Sequence, residues 1–168
     1  MTAPRAQAAV ARRAVITAAV AALAAAGLGA LSTDLGPWYA SLRQPPWKPS
    51  DLWFGPAWTL IYARAALAGV QAWLRTPDRG ARDTLIAAFA INGTLNVVWS
   101  LLFFRLRRPD WALAEVGLLW LSILLLIVIA GRRRVSAGWL LAPYLGWVTF
   151  AAVLNAAVVR LNSPFGAT

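Results

Sequence analysis

The chain has 168 residues, 60% of them hydrophobic and only 13% charged, with a net charge of +10 and a mean hydropathy of +0.62. Soluble domains carry roughly 25% charged residues, so this composition points to lipid, and the length suits one domain with no room for a separate soluble catalytic module. There is no Cys and no His, which removes thiolate and imidazole chemistry, and the basic residues are spread over short loops, as topology signals and not as a nucleic-acid surface.

Arg5, Arg12 and Arg13 precede a charge-free run from Ala14 to Leu31. A basic start, an alanine-rich core and small residues near Gly29 also describe a signal peptide, but this run is longer than a usual signal core. Ala22, Ala26 and Ala30 recur every four positions, a spacing that lets helices approach closely.

The next segment, Ser32 to Asp51, is long for a connection within a bundle and holds Pro37, Pro45, Pro46 and Pro49. Long structured loops are often functional. From Trp38 to Tyr62 the chain packs four tryptophans and two tyrosines around these prolines, far more than a membrane linker needs. Pro46-Trp47-Lys48-Pro49 fits a PxxP pattern, and rigidity explains it better than SH3 recognition. Ser50-Asp51 reads as the N-terminal cap of the second helix.

Leu52 to Leu74 is the second apolar run, interrupted by Arg64, and Phe54, Trp58 and Tyr62 share one face at i, i+4, i+8. The third run, Thr84 to Phe104, carries the stripe Asn92, Asn96, Trp99, Ser100 and Phe103. The fourth, Trp111 to Gly131, has Glu115 near its start, and the spacing predicts a pair between Arg64 and Glu115. The fifth, Val135 to Val159, puts Pro143, Trp147, Ala151 and Asn155 on one face. Each run has about the ~20 residues that cross a hydrocarbon core as helix, and the lengths far exceed a barrel strand. The fold class is therefore all-α: an integral membrane bundle of five transmembrane helices over residues 14–31, 52–74, 84–104, 111–131 and 135–159, joined by the long loop 32–51 into one domain, 1–168. The short later loops predict antiparallel neighbours.

Basic residues set the orientation. The N-terminus and the second and fourth loops carry Arg5, Arg12, Arg13, Arg75, Arg79, Arg82 and Arg132, Arg133 and Arg134, nine in all. The opposite side has six: Arg43, Lys48, Arg105, Arg107, Arg108 and Arg160. The excess puts the N-terminus in the cytoplasm and the long loop outside.

In that orientation three helices bring aromatic and amide side chains into the half of the bundle under the long loop. Trp53, Trp73, Trp111 and Trp139 lie near helix ends and read as an interfacial belt. Trp58, Trp99 and Trp147 lie deeper, where an indole N–H needs a partner that Asn96 or Asn155 could supply. Packing bonds between helices and a ligand cavity are both open readings of these residues.

The same residues resemble the TspO/MBR family of tryptophan-rich sensory proteins. The likeness runs from Trp38 to Asn162. It rests on Trp38-Tyr39, on Trp47-x-Pro49 with Phe54 and Trp58, and on Leu95-Asn96-x-x-Trp99-Ser100-x-x-Phe103-Phe104. The last helix adds Pro143-Tyr144-x-x-Trp147-x-x-Phe150, Leu154-Asn155 and Leu161-Asn162. The resemblance implies a five-helix membrane protein, often a homodimer, binding protoporphyrin IX or a related tetrapyrrole in a pocket closed by the first loop. It implies a role in porphyrin transport, sensing or disposal; light-dependent porphyrin breakdown involving Trp38 and a regulatory membrane scaffold are the alternatives. The candidate ligand-binding set is Trp38, Tyr39, Pro49, Trp58, Asn96, Trp99, Ser100 and Trp147, with Arg43 and Lys48 placed to meet ligand carboxylates. No conventional catalytic set, cofactor or metal site is expected, and no nucleic-acid partner; the expected surroundings are a bacterial cell membrane. Two departures stand out: Ser50 replaces a second proline common in the family, and Leu154 to Arg160 lacks the tyrosine of the sterol-associated segment.

Overall fold

The structure, a computed structural model, describes residues 3–165. Its long elements are α1 (Ala3–Ser32), α3 (Phe54–Leu74), α4 (Arg79–Ser100), α5 (Pro109–Arg133) and α6 (Val135–Asn162), with a short α2 (Pro37–Ser41) inside the long loop. A 3₁₀ turn, Asp51–Trp53, leads into α3, and α4 runs on into one π-helical turn, Leu101–Arg105. Among the described residues there is no strand. Four stretches have the length and hydropathy to cross a membrane: Gln7–Ser32, Arg79–Arg105, Pro109–Arg133 and Val135–Asn162. α3 is as long as about 30 Å but carries Arg64 and Gln71 among its apolar residues, which lowers its hydropathy below theirs.

The helices close into a ring of neighbours. α1 packs on α3, α3 on α6, α6 on α5, α5 on α4, and α4 back on α1. The short second loop leads one to expect α3 and α4 side by side, but they touch only weakly; α1 fills the groove between them instead. Its inner stripe is Ala14, Ala18, Ala22, Ala25, Ala26 and Gly29, while Ala30 faces out. Small side chains let α1 come close: a Cβ on Gly29 would lie 3.5 Å from the Tyr62 hydroxyl.

Local chemistry explains the boundaries. Asp78 caps α4 by accepting from the Ala81 N–H at 2.7 Å. α5 opens with Pro109 and Asp110 and ends on Arg132 and Arg133, which suits the helix dipole at both ends. The α5–α6 turn is a single residue, Arg134, and it works because two glycines meet there. A Cβ on Gly138 would sit 3.1 Å from the Gly131 Cα and 3.2 Å from the Ile127 carbonyl.

The cap assigned to Ser50-Asp51 does not form. Ser50 precedes the 3₁₀ turn with no side-chain bond to it, and the residue flanking α3 is Trp53. Asp51 is occupied elsewhere: it accepts from the Tyr39 hydroxyl at 2.9 Å and from the Lys48 ammonium at 2.6 Å. The Arg64–Glu115 pair is also absent. Arg64 Nε reaches the Leu140 carbonyl on α6 at 3.3 Å, while both Glu115 oxygens are buried without a partner. The two side chains therefore answer to different neighbours, and sequence depth alone could not tell that.

Candidate functional site

The half of the bundle beneath the long loop holds two aromatic groups, with Trp99 packed against both. The first group joins the loop to α4. Trp38 on α2 meets Phe103 edge-on with centroids 6.3 Å apart, and Tyr39 leans on Phe104 at 5.6 Å. Trp99 continues the cluster at 5.3 Å from Phe103. The π-turn makes this possible, since its extra residue per turn re-aims side chains at the end of α4; Phe103 and Phe104 both point up under α2.

The second group joins α3 to α6. Trp58 stacks on Tyr62 at 5.5 Å with planes 27° apart, and stands edge-on to Tyr144 and Trp147. Phe54 packs edge-on against Trp147, and Trp47 from the loop reaches Phe150. These i, i+4, i+8 residues of α3 thus face α6, as their spacing requires.

Asn96, on α4, holds the two phenols of the second group. Its Oδ1 accepts from the Tyr62 hydroxyl at 2.7 Å and its Nδ2 donates to the Tyr144 hydroxyl at 3.2 Å. One amide on α4 therefore satisfies two phenols on α3 and α6, across the ring of helices. Ser100, a turn further on, donates back to the Asn96 carbonyl at 3.4 Å. Asn92 donates to Ser122 on α5 at 2.8 Å. Such bonds are worth about 0.6–2 kcal/mol each between membrane helices, so this line of amides is a main source of cohesion where lipid removes the hydrophobic drive.

The expected residues are thus distributed as follows. Trp58, Trp147 and Asn96 meet around Tyr62 and Tyr144; Trp38 and Tyr39 meet Phe103, Phe104 and Trp99, with Ser100 buried beside them. Pro49 lies half-buried in the stretch leading to the 3₁₀ turn. The indole partner assigned to the asparagines does not appear: the Trp99 Nε1–H is buried without an acceptor. Asn155 instead braces the first turn of α5: with its amide turned to suit its neighbours, Nδ2 donates to the Pro109 carbonyl at 3.0 Å and Oδ1 accepts from the Leu113 N–H at 3.1 Å. Of the face expected on α6, Asn155 is buried and Trp147 and Ala151 are half-buried, but its first member is one residue off. Pro143 is exposed, and the inward residues are Tyr144, Val148, Asn155 and Val158. Tyr62 and Tyr144 are the residues missed as site members; the spacing Leu141-Tyr144-Val148-Asn155-Val158 was the available signal, since a helix buries positions at i, i+3 or i+4, and i+7.

The loop is latched at both ends. Tyr39 and Lys48 hold Asp51, and Lys48 also lies 5.6 Å from the Tyr39 ring centroid. Burial, the Asp51 hydrogen bond and its charge push the Tyr39 phenol well above its usual range. At the other end Asn162 grips the loop backbone, accepting from the Arg43 N–H at 2.8 Å and donating to the Arg43 carbonyl at 2.9 Å. The aromatic rings close on one another beneath this lid. Two open surface hollows, about 380 Å³ beside Arg132 and Arg133 and about 230 Å³ beside Trp139, lie at the other end of the molecule.

Residues 15–161 match the TspO/MBR family. This chain belongs to that family. It is 36% identical over 146 residues to the tryptophan-rich protein TspO of Archaeoglobus fulgidus, covering 86% of this chain and 93% of that one. It is 34% identical over 125 residues to the tryptophan-rich sensory protein of Cereibacter sphaeroides, with 74% and 77% covered. With the sheep translocator protein the identity is 34% over 121 residues and 70% of each chain. Family membership and the apolar helices together make this TspO/MBR chain an integral membrane protein.

Proposed function

We propose that this protein binds a tetrapyrrole of the protoporphyrin IX type under its first loop, in the service of porphyrin transport, sensing or disposal. In this reading α3 is a fifth crossing, the N-terminus is cytoplasmic, the loop faces outward from a bacterial cell membrane, and the protein is a homodimer. The observation that carries the reading is the inward convergence of the deep aromatics. An interfacial belt turns its rings to lipid, as Trp139 and Trp53 do at 72% and 67% exposure. Trp58, Trp99 and Trp147 instead are half-buried and face each other, Tyr62, Tyr144 and Phe103.

A flat aromatic ligand can replace ring-on-ring contacts by ring-on-ligand contacts at little cost. The closed packing means that the loop must lift for entry, and its latches are surface polar bonds that can break without disturbing the bundle. Asn96 then offers amide groups at the rim of the ligand.

Titration of the purified protein with protoporphyrin IX, followed by tryptophan quenching, tests this. Trp58→Ala and Trp147→Ala are expected to weaken binding by about 1–3 kcal/mol, the range for an aromatic stacking platform. Trp139→Ala is expected to leave affinity unchanged. The comparison uses variants that remain folded in detergent, because truncating a deep tryptophan also opens a cavity. Equal losses at all three positions would mean a stability effect and would withdraw the site.

A further inference from the structure

The turn between α4 and α5 carries two consecutive backbone irregularities. The π-turn Leu101–Arg105 is closed by the Leu106 N–H on the Leu101 carbonyl at 2.9 Å, and the Arg108 N–H returns to the Leu102 carbonyl at 2.9 Å. Between them Arg107 has φ 55°. A left-handed residue ending a helix is ordinarily glycine, because a Cβ there crowds the backbone. A long charged side chain held at such a position needs a use that offsets the strain.

The surroundings of Arg107 indicate the use. Its guanidinium carbon lies 5.9 Å from the Trp38 ring centroid. The other cations at this end are largely engaged: Lys48 with Asp51, Arg108 with Asp110, and Arg105 with the Leu31 carbonyl. Among the described residues, no acceptor bonds the Arg107 guanidinium, and the residue is exposed. Arg43, expected from sequence to meet the ligand, is engaged through its backbone by Asn162 and has no such aromatic beneath it.

We infer that Arg107 binds a carboxylate of the ligand, its guanidinium held over Trp38 so that one residue takes the anionic edge while the other takes the ring face. The inference rests on the tetrapyrrole reading above and adds to it a second wall, the α4–α5 turn, beside the first loop. A guanidinium meets a carboxylate through two parallel N–H bonds, and the aromatic beneath Arg107 restricts it to the geometry that makes them. An anionic lipid phosphate shares this chemistry, and the experiment separates the two.

The test compares protoporphyrin IX with its dimethyl ester, which keeps the ring and loses both charges. Wild-type protein is expected to bind the acid about tenfold more tightly than the ester, the scale of a charge-assisted pair. Arg107→Gln is expected to bring acid affinity down to that of the ester and leave ester affinity unchanged; Arg107→Lys retains part of the preference, and Arg160→Gln all of it. Arg107→Gly supplies a readout that a structural role would not give, since glycine relieves the left-handed strain: acid affinity falls while the melting temperature does not.

An acid preference that survives Arg107→Gln overturns the inference, as does an equal loss for acid and ester. Loss of co-purifying phosphatidylglycerol in Arg107→Gln, with acid affinity intact, would assign the guanidinium to lipid and also overturn it. Wild-type protein that binds both forms equally leaves the tetrapyrrole site standing and removes Arg107 from it. Wild-type protein that binds neither removes both.

Discussion

Asp51 shows how one side chain on the loop can do more than its sequence position suggests. Burial pushes its carboxyl up, but hydrogen bonds from Lys48 and Tyr39 and the Lys48 charge outweigh that and hold it below its ordinary 3.8. A carboxylate depressed in the folded state stabilises that state above its unfolded value, and the contribution is lost as pH falls through the folded value. The latch is therefore expected to be intact at neutral pH and to release only below pH 3.8, as the pH falls through the depressed folded value. Because Asp51 is largely exposed, solvent screens the pair, and Asp51→Asn is expected to cost under about 1 kcal/mol. A spin label at Ser41→Cys, in a chain with no native cysteine, reports loop mobility directly. The label should be immobile at pH 6 and become mobile only as the pH is taken well below 3.8, and in Asp51→Asn its spectrum should no longer change over that range. An acid transition unchanged by Asp51→Asn would mean that another group holds the lid.

At the scale of elements, α5 and α6 are joined by their closest approach. The atoms that a Gly138 Cβ would meet at 3.1 and 3.2 Å are backbone, which cannot swing aside. Gly138→Ala is expected to force the helices apart and cost about 1–3 kcal/mol, as overpacking does. Gly146, with nothing within 4 Å of its Cβ position, is the control: alanine there should be neutral or gain up to about 1 kcal/mol. Equal thermal shifts for the two variants in detergent would show that the crossing tolerates a methyl group. The same elements show what could be read in advance. Apolar runs and helical spacing made the all-helical class and the face Phe54-Trp58-Tyr62 legible, because periodicity is a local property. The α6 face slipped from Tyr144 to Pro143 because the two are adjacent and only the phenol's partner, Asn96, decides between them. The π-turn and the left-handed Arg107 left no trace in composition or period, since both depend on how α4 meets α2 and α5. Glu115 was legible as a buried charge, but its lack of a partner was not.

For the whole molecule, the decisive question is whether α3 crosses the membrane. It is not among the helices whose hydropathy suffices alone, yet it sits between α1 and α6 in a ring whose other members do qualify. Its charge is also turned inward, with Arg64 Nε on the α6 carbonyl of Leu140 at 3.3 Å. A charged residue directed at a neighbouring helix is the arrangement that lets a less apolar segment span lipid. Ser41 and Arg79 bracket α3 and are both exposed, so single cysteines there report its crossing with no background. Ser41→Cys is expected to react with an impermeant maleimide added to intact cells, and Arg79→Cys only after the membrane is opened. The nine-to-six bias of basic residues predicts that order; the reverse order would keep the crossing and invert the protein. Reaction of both from one side would mean that α3 does not cross. The ring would then have to lie partly outside the bilayer, and a ligand site built across α3, α4 and α6 would open to water instead of lipid.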